Sequence, residues 1–123
     1  MRVSDKFIQT YLPGEAVFEE GAKGDTMFVV QSGTVEILKR QTGQDTALRT
    51  LVEGDIFGEL ALVDSGLRSA TALAGTGGAA LVCIDQARFV YLVSQQPAFA
   101  LFVMKILAQR LAGAPKREAT TEP

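Results

Sequence analysis

The sequence contains no histidine and only one cysteine, Cys83. The lack of histidine excludes imidazole-based acid–base catalysis, a Ser-His-Asp triad, histidine-ligated zinc and haem held by a proximal histidine. A single cysteine can form neither an intramolecular disulfide nor a four-cysteine iron–sulfur cluster. Because Cys83 lies in the apolar run 79–84, which predicts a core strand, we interpret it as a buried small side chain rather than a reactive thiol.

Long apolar runs are also missing, since no stretch approaches the roughly 20 apolar residues of a membrane span. We therefore expect a cytoplasmic protein without a membrane partner. At 123 residues and 47% hydrophobic composition, the chain has room for one core, so any effector is expected to lie elsewhere. The net charge of −2, from 12 basic and 14 acidic residues, gives no general attraction to nucleic acid.

Glycines divide the first half of the chain into short segments rich in Val, Ile, Leu, Phe and Thr, which is typical of a β barrel or jelly roll. Segments 26–31 and 34–40 predict strands joined by a tight turn at Ser32-Gly33. A further strand is predicted over 46–52, after an exposed turn at 42–44. Strands at 69–74 and 79–84 are expected to be joined by a glycine-rich hairpin at 75–78. That loop lacks the lysine and the following helix of a nucleotide-triphosphate loop.

Two helices are predicted to close the chain. Asp85 is placed to cap a helix that runs to Ser94, and Gln96-Pro97 begins another that continues to about Ala112. The second helix is apolar around most of its circumference, so it needs cover on more than one side. Either it docks wholly within its own domain, or one face packs against a second subunit. Residues 114–123 are predicted to form a disordered tail.

The segment FGELALVDSGLRSAT, from Phe57 to Thr71, carries the chemistry. A turn at 58–61 can open a short helix whose free amides suit a phosphate oxygen, and Gly58 allows close approach of a ligand. Arg68 offers a planar fork to an anion, with the Ser69 hydroxyl beside it. Glu59 suits an anion site only if it accepts from hydroxyl groups of the same ligand, as in a sugar phosphate. On spacing alone, Glu59 and Arg68 are equally well explained as an ion pair that holds a loop.

This segment resembles the phosphate-binding cassette of cyclic nucleotide-binding domains, the family of the bacterial catabolite activator protein and the regulatory subunits of cyclic AMP-dependent kinase. The resemblance extends to PGEAVFEEGAKGDTMFVVQSGTVEI, from Pro13 to Ile37, and to LVEGDIFGE, from Leu51 to Glu59. It implies a double-stranded β-helix, or jelly roll, over residues 1–113, with a short cassette helix and a C-terminal lid helix.

The resemblance also implies a role for each residue of the cassette. Glu59 would accept from the ribose 2′-hydroxyl and Arg68 would bind the exocyclic phosphate oxygens. The turn would be lined by Gly58, Leu60 and Ala61, and the phosphate shell completed by Ser69 and Ala70. The sequence departs from the family at Leu67, where many members have proline; we expect this to change rigidity more than ligand identity.

Three functions from different classes follow. The favoured one is a cyclic nucleotide receptor, with cAMP preferred to cGMP, whose C-terminal helix moves on binding and regulates a protein partner; the family's dimers also suggest a homodimer through that helix. The second is a β-roll interaction module that does not bind cyclic nucleotides. The third, a transcription factor, would need DNA binding by another chain, since no helix-turn-helix pattern follows the last helix. An enzyme is not expected, because the carboxylate cluster Glu15, Glu19 and Glu20 is typical of a solvated surface. Neither a metal nor a cofactor is expected beyond the nucleotide ligand.

Overall fold

The computed structural model describes residues 5–41, 44–64 and 66–113. After a single 3₁₀ turn at Asp5–Phe7, the chain forms five strands, a short helix, one more strand and two helices. The strands before the short helix are β1 (Ile8–Tyr11), β2 (Ala16–Phe18), β3 (Thr26–Gln41), β4 (Gln44–Leu51) and β5 (Ile56–Phe57). The short helix is α1 (Leu60–Val63), and it is followed by β6 (Thr71–Asp85), α2 (Gln86–Gln95) and α3 (Ala98–Gly113).

The two long strands, β3 and β6, form the centre of one antiparallel sheet. The sheet order is β1-β6-β3-β4, while β2 pairs with β6 and β5 pairs with β3. Every pairing is antiparallel. The predicted fold class, mainly β with a short cassette helix and C-terminal helices, is therefore confirmed.

The tight turn predicted at Ser32-Gly33 is wrong, because the chain runs straight through these residues within the 16-residue strand β3. Gly33 has a φ of +81°, and a Cβ there would lie 2.2 Å from the carbonyl oxygen of Gly78. The pairing of β3 with β6 shifts register on both sides of Ser32-Gly33. A glycine with positive φ here forms a bulge between two continuing strands instead of reversing the chain.

The hairpin predicted at 75–78 is wrong for the same reason. Residues 71–85 form one strand, and its partner positions jump from Val35↔Ala74 to Gly33↔Ala79. Four residues of β6 therefore lie opposite the single residue Thr34. The glycine-rich segment absorbs this excess length as an irregularity of the sheet, while both strands keep their direction.

Two clusters of buried side chains hold the domain together. The first lies between the strands of the roll and is lined by Phe28, Val30, Val35, Leu51, Phe57, Ala72, Ala74, Ala79 and Leu81. The second joins the sheet to the helices and consists of Met27, Ile56, Leu62, Val82, Ile84, Phe99 and Val103. Because β5 contributes Phe57 to the first cluster and Ile56 to the second, the cassette that follows it is fixed between the roll and α3.

The helices begin close to their predicted positions. The Asp85 carboxylate accepts from the backbone amide of Arg88 at 2.8 Å, which confirms the cap of α2. Helix α3 buries Phe99 and Val103, whereas Leu101, Met104 and Leu111 remain exposed. The helix thus docks on its own domain by one face only.

The remaining predictions concern Cys83, the turn at 42–44, the C-terminal tail and membrane-spanning segments. Cys83 lies on β6 as predicted; it is partly buried, and this burial raises the pKa of its thiol. The turn predicted at 42–44 falls mostly, and the tail at 114–123 entirely, outside the described residues. Within the described ranges, no single helix is long and apolar enough to cross a membrane; α2 and α3 reach that threshold only as a pair bent by 117°.

Candidate functional site

All seven residues predicted for the site line one cleft of about 480 Å³. The cleft lies beside the segment between β5 and β6, and its walls include β3, β4 and the end of α3. Its volume lies in the range usual for small-molecule sites. The residues brought together are Gly58, Glu59, Leu60, Ala61, Arg68, Ser69 and Ala70.

The turn after β5 forms the short helix that the sequence predicts. Helix α1 starts at Leu60 with Glu59 as its N-terminal cap residue, and the Ala61 amide donates to the Gly58 carbonyl at 3.2 Å. Gly58 has a φ of +74°, and a Cβ there would lie 2.9 Å from Nη1 of Arg68. Glycine is therefore required at this position both by the backbone conformation and by the closeness of the guanidinium.

Arg68 is the buried charge of the site, with only 8% of its surface exposed. Its Nη1 donates to the Gly58 carbonyl at 3.2 Å, and its Nη2 donates to the Thr26 carbonyl at 2.9 Å. Its Nε is buried and finds no acceptor in the described part of the chain. Burial lowers the pKa of Arg68 from its usual value, and the nearby Asp25 partly opposes this by favouring the charged form.

Glu59 does not pair with Arg68, so the alternative of a simple ion pair between them is wrong. Its carboxylate instead lies 3.4 Å from Nη1 of Arg110, on α3. The Nη2 group of Arg110 also donates to the Ile56 carbonyl. One arginine of the C-terminal helix therefore contacts a side chain of the cassette and the backbone of β5, the strand before it.

The second half of the cassette is held by Lys39 of β3. Its ammonium group donates to the Ser69 carbonyl at 2.7 Å and lies 3.3 Å from the Glu20 carboxylate. The backbone amides of Glu59, Ser69 and Ala70 find no acceptor among the described residues. These amides, from both ends of the cassette, remain able to bind an anion.

Other side chains of the cleft were not predicted. Lys39, Arg49 and Arg110 join Arg68, so four basic side chains face the two acidic ones, Glu59 and Asp64. Arg110 had a signal in the sequence, because it follows Phe99, Val103 and Ile106 at helical spacing on the face that docks. Lys39 and Arg49 had none, since only the pairing of β3 with β4 and β6 brings them to the cassette.

Comparison with known proteins supports this arrangement. The cyclic AMP receptor protein of Thermus thermophilus is 33% identical over 113 residues, which are 91% of this chain and 50% of that protein. The crystal structure of the Thermus thermophilus catabolite activator protein superimposes with a TM-score of 0.75 and 31% identity, covering 85% of this chain and 49% of that one.

Two further relatives are longer proteins, of which this chain matches a smaller part. The cGMP-dependent protein kinase egl-4 of Caenorhabditis briggsae is 33% identical over 75% of this chain, which corresponds to 13% of the kinase. An EAL enzyme solved with cAMP bound is 29% identical, with a TM-score of 0.64, over 85% of this chain and 28% of that one. The chain thus spans half or less of the length of these curated relatives.

The comparison with protein families matches one continuous segment of the chain. Residues 8–96 match the model of the cyclic nucleotide-binding domain, so the match runs from β1 to the end of α2 and includes the entire cassette. The chain belongs to the cyclic nucleotide-binding domain family.

Proposed function

We propose that this chain is a cyclic nucleotide receptor module. Arg68 binds the exocyclic phosphate oxygens, and Glu59 accepts from the ribose 2′-hydroxyl. The turn is lined by Gly58, Leu60 and Ala61, and the phosphate shell is completed by Ser69 and Ala70. The observation that carries the proposal is the buried guanidinium of Arg68, which lines the same cleft as the other six residues.

The pairing of charges in the cleft supports a sugar phosphate as the ligand. Glu59 pairs with Arg110, and Arg68 forms no ion pair with a carboxylate among the described residues. A guanidinium has five N–H donors, and Arg68 uses two, which leaves three. One region of the cleft can therefore bind a phosphate, while a separate carboxylate accepts from hydroxyl groups.

The residues of the cleft also bear on which base the ligand carries, adenine or guanine. The sequence prediction is cAMP. However, Arg49 of β4 is exposed, lines the cleft and makes no side-chain hydrogen bond within the described residues. Arginine can donate two hydrogen bonds to O6 and N7 of guanine, whereas adenine has an amino group in place of O6. An Arg49→Leu variant that loses affinity for cGMP alone would identify Arg49 as the reader of the base.

Regulation is proposed to run through α3. Arg110 connects this helix to Glu59 and to the backbone of Ile56. A ligand that changes the conformation of the cassette therefore also changes the contacts that hold the helix. Such a change regulates a partner only if the ligand binds the two helix positions with different affinity. The effector is proposed to be a protein segment or chain outside residues 5–113, and direct DNA binding is not part of the proposal.

We further propose that a second copy of this chain covers the outer face of α3. Leu101, Met104, Ala108 and Leu111 lie on this face with spacings of three, four and three residues, as in the seam of a two-stranded coiled coil. Leu101, Met104 and Leu111 are 66%, 61% and 78% exposed. Light scattering after size exclusion should give a dimer for the wild type and a monomer for a Leu101→Glu/Met104→Lys variant. A monomeric wild type at high concentration would refute this interface.

The module is proposed to be regulatory and not itself catalytic. The kinase relative matches over only 13% of its length, and the chain matches it through a cyclic nucleotide-binding domain. The cytoplasm as its compartment stays a prediction.

Isothermal titration calorimetry of ligand-stripped protein with cAMP and with cGMP tests the proposed function. Arg68→Leu should retain the fold yet weaken binding by about 2–5 kcal/mol, because it removes one partner of a buried, charged hydrogen-bonded pair. Glu59→Ala should cost less, since it loses a contact to a neutral hydroxyl. Absence of heat with either nucleotide, from folded and empty protein, would favour the interaction module instead.

A further inference from the structure

Arg68 is held in an unusual way for a buried cation. The ion pairs found within the described residues join Lys39 to Glu20 and Arg110 to Glu59, and neither includes Arg68. The two hydrogen bonds of Arg68 go to uncharged carbonyl groups. Asp25 is near enough to favour the charged form of Arg68, but it forms no ion pair with it among the described residues. The group that packs on the guanidinium is an aromatic ring, because Cζ lies 4.1 Å from the centroid of Phe18 and 5.8 Å from that of Phe28.

The ring of Phe18 is itself fixed by the core of the roll. Its centroid lies 5.9 Å from that of Phe28 and 6.0 Å from that of Phe57, and these two rings stack at 5.1 Å. Phe28 and Phe57 are only 6% and 4% exposed. The three rings therefore form a rigid support with one member, Phe18, in the wall of the cleft.

The pairing of β2 with β6 explains how Phe18 reaches Arg68 across 50 positions of sequence (68 − 18). Phe18 lies opposite Ala72, just after the cassette. The adjoining segment is held as well, because the Gly21 amide donates to the Arg68 carbonyl at 2.8 Å and the Arg68 amide donates to the Ala22 carbonyl at 2.8 Å. The backbone that follows the ring is therefore hydrogen-bonded to the residue whose side chain the ring supports.

An aromatic ring beside Arg68 does not occupy its N–H donors, whereas a carboxylate would. A carboxylate beside Arg68 would accept its hydrogen bonds and cancel its charge, so a phosphate would have to displace it. The negative face of a phenyl ring attracts the cation without accepting a strong hydrogen bond. The guanidinium thus keeps its charge and the second N–H donor of Nη1 and of Nη2, while its third unused donor, on Nε, is buried.

From this geometry we infer that Phe18 is a positioning residue for Arg68, which supports the guanidinium by its ring so that the charge remains available to an anionic ligand. The inference rests on the proposed function for its ligand, the cyclic phosphate. The position of the guanidinium itself can be tested without any ligand.

The first test is proton–nitrogen NMR of the unliganded protein. The Nε–Hε resonance of Arg68 is assigned by its loss in Arg68→Lys. We expect a nuclear Overhauser contact between this Hε proton and the Hα protons of Gly24, whose backbone borders Nε, in the wild type and in Phe18→Tyr, and loss of this contact in Phe18→Leu. Phe18→Met, whose flexible side chain can adapt to the space left by the ring, provides a second ring-free variant should the leucine variant fold poorly.

The second test is calorimetric titration of the same variants with cAMP and cGMP. Phe18→Leu and Phe18→Met should bind the preferred nucleotide roughly 2- to 30-fold more weakly, the range expected for a cation–π contact, while Phe18→Tyr should match the wild type. Phe89→Leu is the matched control, because Phe89 is also partly buried and packs on a phenylalanine ring, Phe99, at 5.6 Å, but does not line the cleft.

The outcomes separate the two proposals. If no variant, including the wild type, binds a cyclic nucleotide, the proposed function fails, and the NMR result alone decides whether Phe18 positions Arg68. If the wild type binds but Phe18→Leu keeps both the contact of Arg68 with Gly24 and the affinity, the inference about Phe18 is refuted. An equal loss of affinity in Phe89→Leu would also refute it, since the effect would then come from general loosening of the domain.

Discussion

The floor of the cleft, defined by Gly58 and Arg68, and the C-terminal helix α3 each contribute one arginine. These two arginines are held in opposite ways. Arg68, on the floor, is 8% exposed and is surrounded by carbonyl groups, an aromatic ring and glycine. Arg110, on α3, pairs with Glu59 at 3.4 Å, and the two side chains are 21% and 23% exposed. The first charge is buried without an ion pair to any carboxylate in the described ranges, and the second is paired at the edge of solvent.

In the proposed function, this difference assigns ligand binding to Arg68 and the support of a movable helix to Arg110. A buried charge is costly unless a partner compensates it, and burial accordingly lowers the pKa of Arg68. The Arg110–Glu59 pair is already compensated and can be exchanged at low cost, as is usual for pairs near the surface. A receptor needs both properties, one for affinity and the other for a helix whose position can change.

Apart from the loss of Arg68 itself, the largest effect on the floor of the cleft is expected at Gly24, which borders the Arg68 guanidinium. A Cβ at this position would lie 2.2 Å from Nε, although the φ of Gly24 is not in the left-handed region. Since the obstacle is the end of a flexible side chain, Gly24→Ala should fold but displace the guanidinium. We expect cyclic nucleotide affinity to fall roughly 10- to 150-fold, the equivalent of one hydrogen bond to a charged group, as measured by calorimetry.

The matched control for this substitution is Gly77→Ala. Gly77 is exposed and has no positive φ, and a Cβ there would meet no atom of the described residues within 4 Å beyond its chain neighbours. The affinity of this variant should equal that of the wild type. Normal binding by Gly24→Ala would show that the observed position of Arg68 is not the one that binds the ligand.

A smaller effect is expected for the contact between α3 and the cassette, which joins Arg110 to Glu59. A double-mutant cycle with Glu59→Gln and Arg110→Gln should give a coupling of about 0.5–1 kcal/mol in the free energy of unfolding, because the pair is partly exposed. Urea denaturation of the four proteins measures this coupling. A value above about 3 kcal/mol, the range of buried pairs, would place Arg110 in the same class as Arg68 and remove the contrast between them.

The sequence predicts most of the cassette but little of its surroundings. The residues from Gly58 to Ala70 are close in the chain, so local motifs suffice to identify them. Phe18 and Arg110 reach the site only through the pairing of β2 with β6 and the docking of α3, which depend on contacts distant in sequence.

The two incorrect turns have a related cause. Local composition at Ser32-Gly33 and at 75–78 favours a reversal of the chain, whereas the long pairing of β3 with β6 maintains both strands. Glycine permits either a turn or a bulge, and the sheet as a whole decides between them. A motif of adjacent residues is thus easier to predict than the strand register that completes it.

The smallest effect is expected at Leu67, where the chain lacks the proline common in its family. Leu67 is 65% exposed, and its amide donates no hydrogen bond within the described residues, so proline removes no such contact. If its backbone conformation suits proline, Leu67→Pro should stabilise the fold by about 0.4–1 kcal/mol through the unfolded chain. Thermal unfolding and calorimetry of Leu67→Pro beside Leu67→Ala measure both quantities. Affinity should change by less than about twofold, because the position of Arg68 is set by Phe18, Gly24 and Gly58 around its side chain; a larger gain with proline alone would show that the backbone before Arg68 sets it instead.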